Sequence, residues 1–116
     1  MTEPTSNIPT IANGRVYRNG QVAVLVSPGH GAGWSTWGGT NATAMLFCPA
    51  LVLAILDGQS GEALQKIADQ EFPDEYAGGI KGITVGWVTA GSPFRIEEYD
   101  GSESLVTPGE GYWVTA

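Results

Sequence analysis

A chain of 116 residues with a net charge of −7 has room for one domain. Its charge opposes binding to a bare nucleic-acid backbone or to an anionic membrane surface. Hydrophobic residues make up 42% and charged residues only 15%, which excludes a disordered solvating tail. The single cysteine, Cys48, and single histidine, His30, exclude an internal disulfide framework and a multi-histidine metal centre; no metal or cofactor is implied.

The first residues, Met1 to Asn7, have no basic segment followed by an apolar one, so no secretory signal is expected there. The expected location is the cytoplasm, with Cys48 reduced. Residues 1–13 are polar, contain Pro4 and Pro9, and read as a flexible arm before a single domain over 14–116. Asn19-Gly20 stands between Arg15-Val16-Tyr17 and the run Gln21 to Val26. That dipeptide supplies the positive φ angles of a type I′ hairpin turn. Ser27 to Gly39 follows, with five glycines and two tryptophans, and predicts an irregular connection.

Ala44 to Leu56 is apolar and is interrupted by Pro49. Proline suits the first turn of a helix, so a helix is expected from Pro49 to about Asp57, with Leu51, Val52, Leu53, Ile55 and Leu56 largely buried. Gly58 stops it. Ser60 caps a second helix with Leu64, Ile67, Ala68 and Phe72 on one stripe, and Pro73 ends it. From Ile80 the apolar period becomes two. Ile83, Val85 and Trp87 alternate with smaller residues, and Phe94, Ile96 and Glu98 alternate with Arg95, Glu97 and Tyr99. Asp100-Gly101 is a second type I′ signal leading into Ser102 to Val106, and Tyr112 to Ala116 reads as a last strand. The predicted fold is α+β. It has a mostly antiparallel sheet of about five or six strands, with two short helices inserted between N-terminal and C-terminal strands.

Three constellations bear on chemistry. Gly29, Gly31 and Gly33 are spaced so that bare backbone N–H groups can cradle an anion. Trp34 and Trp37 either plug the core or stack on a ring; Trp37, nearer the helix, is expected as the plug and Trp34 as the contact. His30 beside Ser27 and Ser35 suggests a nucleophile and base, but no G-x-S-x-G elbow supports a hydrolase. In the last hairpin, a two-residue turn at Asp100-Gly101 sets Glu98 opposite Glu103, on the face that Ile96 and Leu105 use for the core. Opposed carboxylates repel, so a cation, an arginine or a ligand donor is expected to relieve them. Glu103→Gln alone is expected to stabilise the protein slightly.

The segments Val24-Leu25-Val26-Ser27-Pro28-Gly29-His30-Gly31-Ala32-Gly33-Trp34-Ser35-Thr36-Trp37 and Phe94-Arg95-Ile96-Glu97-Glu98-Tyr99-Asp100-Gly101-Ser102-Glu103, with Gly86-Trp87-Val88, resemble a family of small phage and prophage accessory proteins. The resemblance covers roughly residues 21 to 116 and implies expression in a host bacterial cytoplasm, in a counter-defence role. The residues then support a non-enzymatic binder of a small nucleotide-like ligand, using Gly29, His30, Gly31, Gly33, Trp34, Ser35, Arg95 and Tyr99. The alternative is an acidic inhibitor that binds a basic host protein through Glu97, Glu98, Asp100 and Glu103. A small hydrolase using His30 is the third reading. Neither direct nucleic-acid binding nor membrane association is expected, and a homo-oligomer is permitted.

Overall fold

The structure is a computed structural model that describes residues 8–29, 33–73, 80–99 and 101–108. Six strands among the described residues form two antiparallel sheets, and three α-helices lie between the third and fourth strands. The fold is α+β. Strands β1 (Thr10–Ala12), β2 (Arg15–Arg18), β3 (Gln21–Val26) and β4 (Thr84–Thr89) pair in the order β1-β2-β3-β4. Strands β5 (Arg95–Tyr99) and β6 (Ser102–Val106) form a separate hairpin.

Local chemistry explains these elements. Asn19 and Gly20 have φ of 54° and 76°, as the type I′ turn between β2 and β3 requires. The same dipeptide occurs at Asn13-Gly14, with φ of 54° and 72°, and turns β1 into β2. The expected flexible arm is therefore corrected at its end: Thr10–Ala12 is a strand, because a second Asn-Gly turn brings it onto β2. Residues 1–7 and the expected strand Tyr112–Ala116 lie outside the described residues.

The apolar run holds two helices rather than one. Helix α1 (Ala42–Phe47) stops at Cys48, whose φ of −38° and ψ of 106° are extended, and α2 (Pro49–Leu56) restarts with proline in its first turn. A residue before proline avoids the helical region, which is why the break falls at Cys48. Gly39–Leu56 is long and apolar enough to cross a membrane by composition. Here it is bent into separate pieces, with Met45, Phe47, Leu51 and Val52 buried in the protein. Leu53 and Ile55 are half-buried and packed on the core, whereas Leu56 is exposed, correcting the expectation that all five apolar positions are covered. Helix α3 (Gly61–Glu71) begins as expected: Ser60 Oγ accepts from Ala63 N at 3.2 Å, and Leu64 and Ala68 face the core.

The four-stranded sheet is covered on both faces. On one face Val16, Ala23 and Leu25 pack with Leu51, Val52, Leu64 and Ala68 of the helices. On the other, Val22, Val24, Val26 and Val88 meet Phe47, Phe94, Ile96 and Leu105, the last three from the β5–β6 segment. Successive residues of β3 point to opposite faces, so a strand buried on both sides reads as the continuous apolar run Val22 to Val26. The hairpin seats on Gly86, where a Cβ would lie 2.8 Å from Leu105 Cδ2.

Candidate functional site

The Gly-rich segment leaves β3 at Val26 and enters a 3₁₀ turn at Ser35–Trp37. Its N–H groups do converge on an anion, and the anion is the protein's own. Glu103 on β6 is 2% exposed. Its Oε1 accepts from Ser27 N at 3.0 Å. Its Oε2 accepts from Trp34 N at 2.7 Å, Thr36 N at 3.1 Å and Thr36 Oγ1 at 2.6 Å. The backbone closes the same contact in the other direction: Glu103 N donates to Ser27 O at 2.8 Å, and Ser102 Oγ donates to Pro28 O at 2.8 Å. A carboxylate can leave water at modest cost only when its lone pairs are met by donors. Here four donors meet it.

This corrects two expectations. Glu98 and Glu103 stand opposite each other, as the two-residue turn requires. Backbone amides meet both carboxylates: the loop amides bind Glu103, and Gly101 N donates to Glu98 Oε2 at 2.6 Å. Glu103 is also no part of an acidic docking face, since it is buried. Its expected gain on replacement by Gln therefore reverses in sign.

Trp34 is corrected as well. It is fully buried, its indole Nε1–H donates to Met45 O at 2.7 Å, and its ring meets Phe72 edge-on at 5.8 Å between centroids. Met45 is four residues before Pro49, and in an unbroken helix its carbonyl would accept the N–H that proline lacks. Trp34 fills that vacancy. It is the core plug, not a ligand contact. Trp37's side chain, His30, Gly31 and Asp100 lie outside the described residues.

The remaining expected ligand residues do not form one cluster. Gly29 is exposed, Gly33 is buried, and Tyr99 stands 80% exposed at the tip of the β5–β6 hairpin. Ser35 and Arg95, by contrast, line the same opening, a groove of about 300 Å³ between α1 and β5. Thr36, Thr43 and Leu46 complete one wall, and Phe94 and Ile96 the other. Arg95 binds the exposed Glu97 carboxylate through Nε at 2.9 Å and Nη2 at 2.6 Å. Thr36 is held at the rim by Glu103, so the buried acid positions the groove it does not line. Sequence reasoning missed Thr36, Thr43, Leu46 and Phe94. Thr36 had a signal, since it sits inside the loop motif, but helix α1 and its packing against β5 had none.

Comparisons with protein-family models, curated proteins and solved structures return no match.

Proposed function

We propose that this protein is a non-enzymatic binding module whose ligand is a small nucleotide-like molecule, held in the α1–β5 groove rather than in the glycine loop. One observation carries the reading. The groove sets the Arg95 guanidinium and the hydroxyl-bearing residues Ser35, Thr36 and Thr43 around an apolar floor of Leu46, Phe94 and Ile96. Small-molecule sites have this character, a mainly apolar concavity of about 300–1,000 Å³ with a few polar groups that fix orientation. The guanidinium suits a phosphate, the hydroxyls suit a sugar, and the aromatic ring suits a base. The resemblance to small phage accessory proteins supplies the context, sequestration of a host nucleotide signal in the bacterial cytoplasm.

Calorimetric titration with AMP tests the reading. Arg95 and Thr43 are both exposed, so Arg95→Ala and Thr43→Trp leave the fold intact. Each is expected to weaken AMP binding by about tenfold or more, the usual loss for a charge-assisted contact or a filled site. Unchanged binding in both variants, or no binding by the wild type, refutes the groove as the site.

A second reading is favoured by Tyr99, a large aromatic left 80% exposed beside the exposed carboxylates Glu97 and Glu98. An exposed aromatic anchor next to two carboxylates suits a basic protein partner. Such binding would weaken steeply with salt and be lost in Tyr99→Ala, whereas AMP binding would survive that change.

A further inference from the structure

The α1–β5 groove is one of three openings that meet at Phe94. A smaller one, of about 140 Å³, lies between Phe94, Arg95 and Val106. The third, of about 200 Å³, lies on the far side, over the part of the sheet face that the hairpin leaves uncovered. Arg15, Tyr17, Phe47 and Ser92 line it with Phe94. The Phe47 and Phe94 rings meet edge-on at 6.2 Å, and the Arg15 guanidinium carbon lies over the Phe47 ring, 4.1 Å from its centroid. Arg15 Nη1 also donates to Asn13 O at 3.0 Å, which holds the side chain in place.

The charge distribution gives these openings a direction. The chain has twelve acidic and five basic residues. Yet among the described residues no acidic side chain lines any of the three openings, while Arg15 lines the third and Arg95 the other two. In a protein of net charge −7, two of the five cations gathered at one trough make it the less negative part of the surface, with a phosphate at Arg95 sharing the guanidinium with Glu97. A guanidinium held over a ring keeps a planar fork of donors oriented for phosphate and loses little freedom on binding it. Between the two cations stands Phe94, an apolar face suited to a planar ring.

We infer that Arg15, with Phe47 and Tyr17, forms a second anion subsite across Phe94 from Arg95, and that the preferred ligand is a dinucleotide carrying two phosphates. The inference rests on the groove reading above and narrows its ligand class. One phosphate pairs with Arg95, the other with Arg15, and a base lies against Phe94. Each subsite binds alone only weakly; joining two groups in one molecule makes the second contact intramolecular.

The test compares AMP with the linear dinucleotide pApA in calorimetry, on wild type, Arg15→Gln, Ser92→Trp and Arg95→Ala, with thermal melts to verify folding. Ser92 is exposed, so its tryptophan variant obstructs the Arg15 end without touching the core. The wild type is expected to bind pApA at least about tenfold more tightly than AMP, an effect of linkage. Arg15→Gln and Ser92→Trp are each expected to remove that gain and to leave AMP binding within about twofold, while Arg95→Ala weakens both probes. Equal affinity of the wild type for the two probes overturns the second subsite and leaves the groove standing. Retention of the pApA gain in both Arg15→Gln and Ser92→Trp overturns it too. Failure of both probes to bind the wild type overturns the groove reading, and the dinucleotide with it.

Discussion

Glu103→Gln is expected to destabilise this protein, although it removes a charge that faces another carboxylate. The wild-type oxygens accept from three backbone N–H groups and one hydroxyl, with Ser27 on one oxygen and Trp34 and Thr36 on the other. Glutamine offers one carbonyl oxygen, which can keep Trp34 and Thr36. Its NH₂ group then points at the Ser27 N–H, donor against donor. One hydrogen bond is lost and one buried donor is orphaned, a cost of about 1–3 kcal/mol. Alanine at this position orphans all three amides, and about 3–6 kcal/mol is expected, less than a simple sum because the loop relaxes. The whole fold of a domain this size is stable by about 5–15 kcal/mol, so the alanine variant stands near the edge of folding. Urea unfolding followed by tryptophan fluorescence reads both, since Trp34 is buried where the loop meets the core. A double-mutant cycle with Thr36→Val should show a coupling of about 0.5–3 kcal/mol. If Glu103→Gln melts at the same or higher urea than wild type, the carboxylate is not held by the loop and this account of it is wrong.

Three further outcomes follow from the packing. Trp34→Ala should cost about 3–5 kcal/mol as a buried large-to-small change, and Trp34→Phe about 1–3 kcal/mol, because it keeps most of the ring but orphans the Met45 carbonyl; a Trp34→Ala melt within error of wild type would return that residue to the surface. Gly86→Val should cost about 1–3 kcal/mol by overpacking against Leu105, and Leu105→Ala in the same background should recover part of it; additive losses would place the hairpin elsewhere. Burial pushes the Cys48 thiol above its ordinary range, so Ellman's reagent at pH 8 should label the native protein far more slowly than the urea-unfolded chain, and rapid stoichiometric labelling of the native state would contradict its burial.

Short-range signals carried much of this fold into plain view. The Asn19-Gly20 turn, the Ser60 cap, the proline at the start of α2 and the alternation of β4 and β5 each depend on residues a few positions apart, where backbone sterics and local hydrogen bonds act alone. The last hairpin is the clearest instance: the Asp-Gly turn signal in the sequence predicts Glu98 opposite Glu103, and the strands pair in that register. The glycine spacing pointed to the right segment but not to the donors: the N–H groups that meet a carboxylate belong to Ser27, Trp34 and Thr36. The identity of the anion was not legible either. Glu103 meets Ser27, Trp34 and Thr36 across 76, 69 and 67 residues of chain, and no spacing within either segment encodes such a meeting. Trp34 misled for the same reason. Beside glycines and a histidine it has the company of a ligand contact, yet Pro49 leaves the Met45 carbonyl without its helical donor, and the indole is the group that folding brings there. How the six strands among the described residues divide into a sheet of four and a hairpin of two is likewise a long-range outcome, with Leu105 of the hairpin seated over Gly86 of the sheet. Periodicity and turn chemistry set which residues face inward. Which inward-facing groups find each other is a matter of long-range packing and of the cost of leaving a buried polar group unpaired, and that cost places Glu103 under the loop.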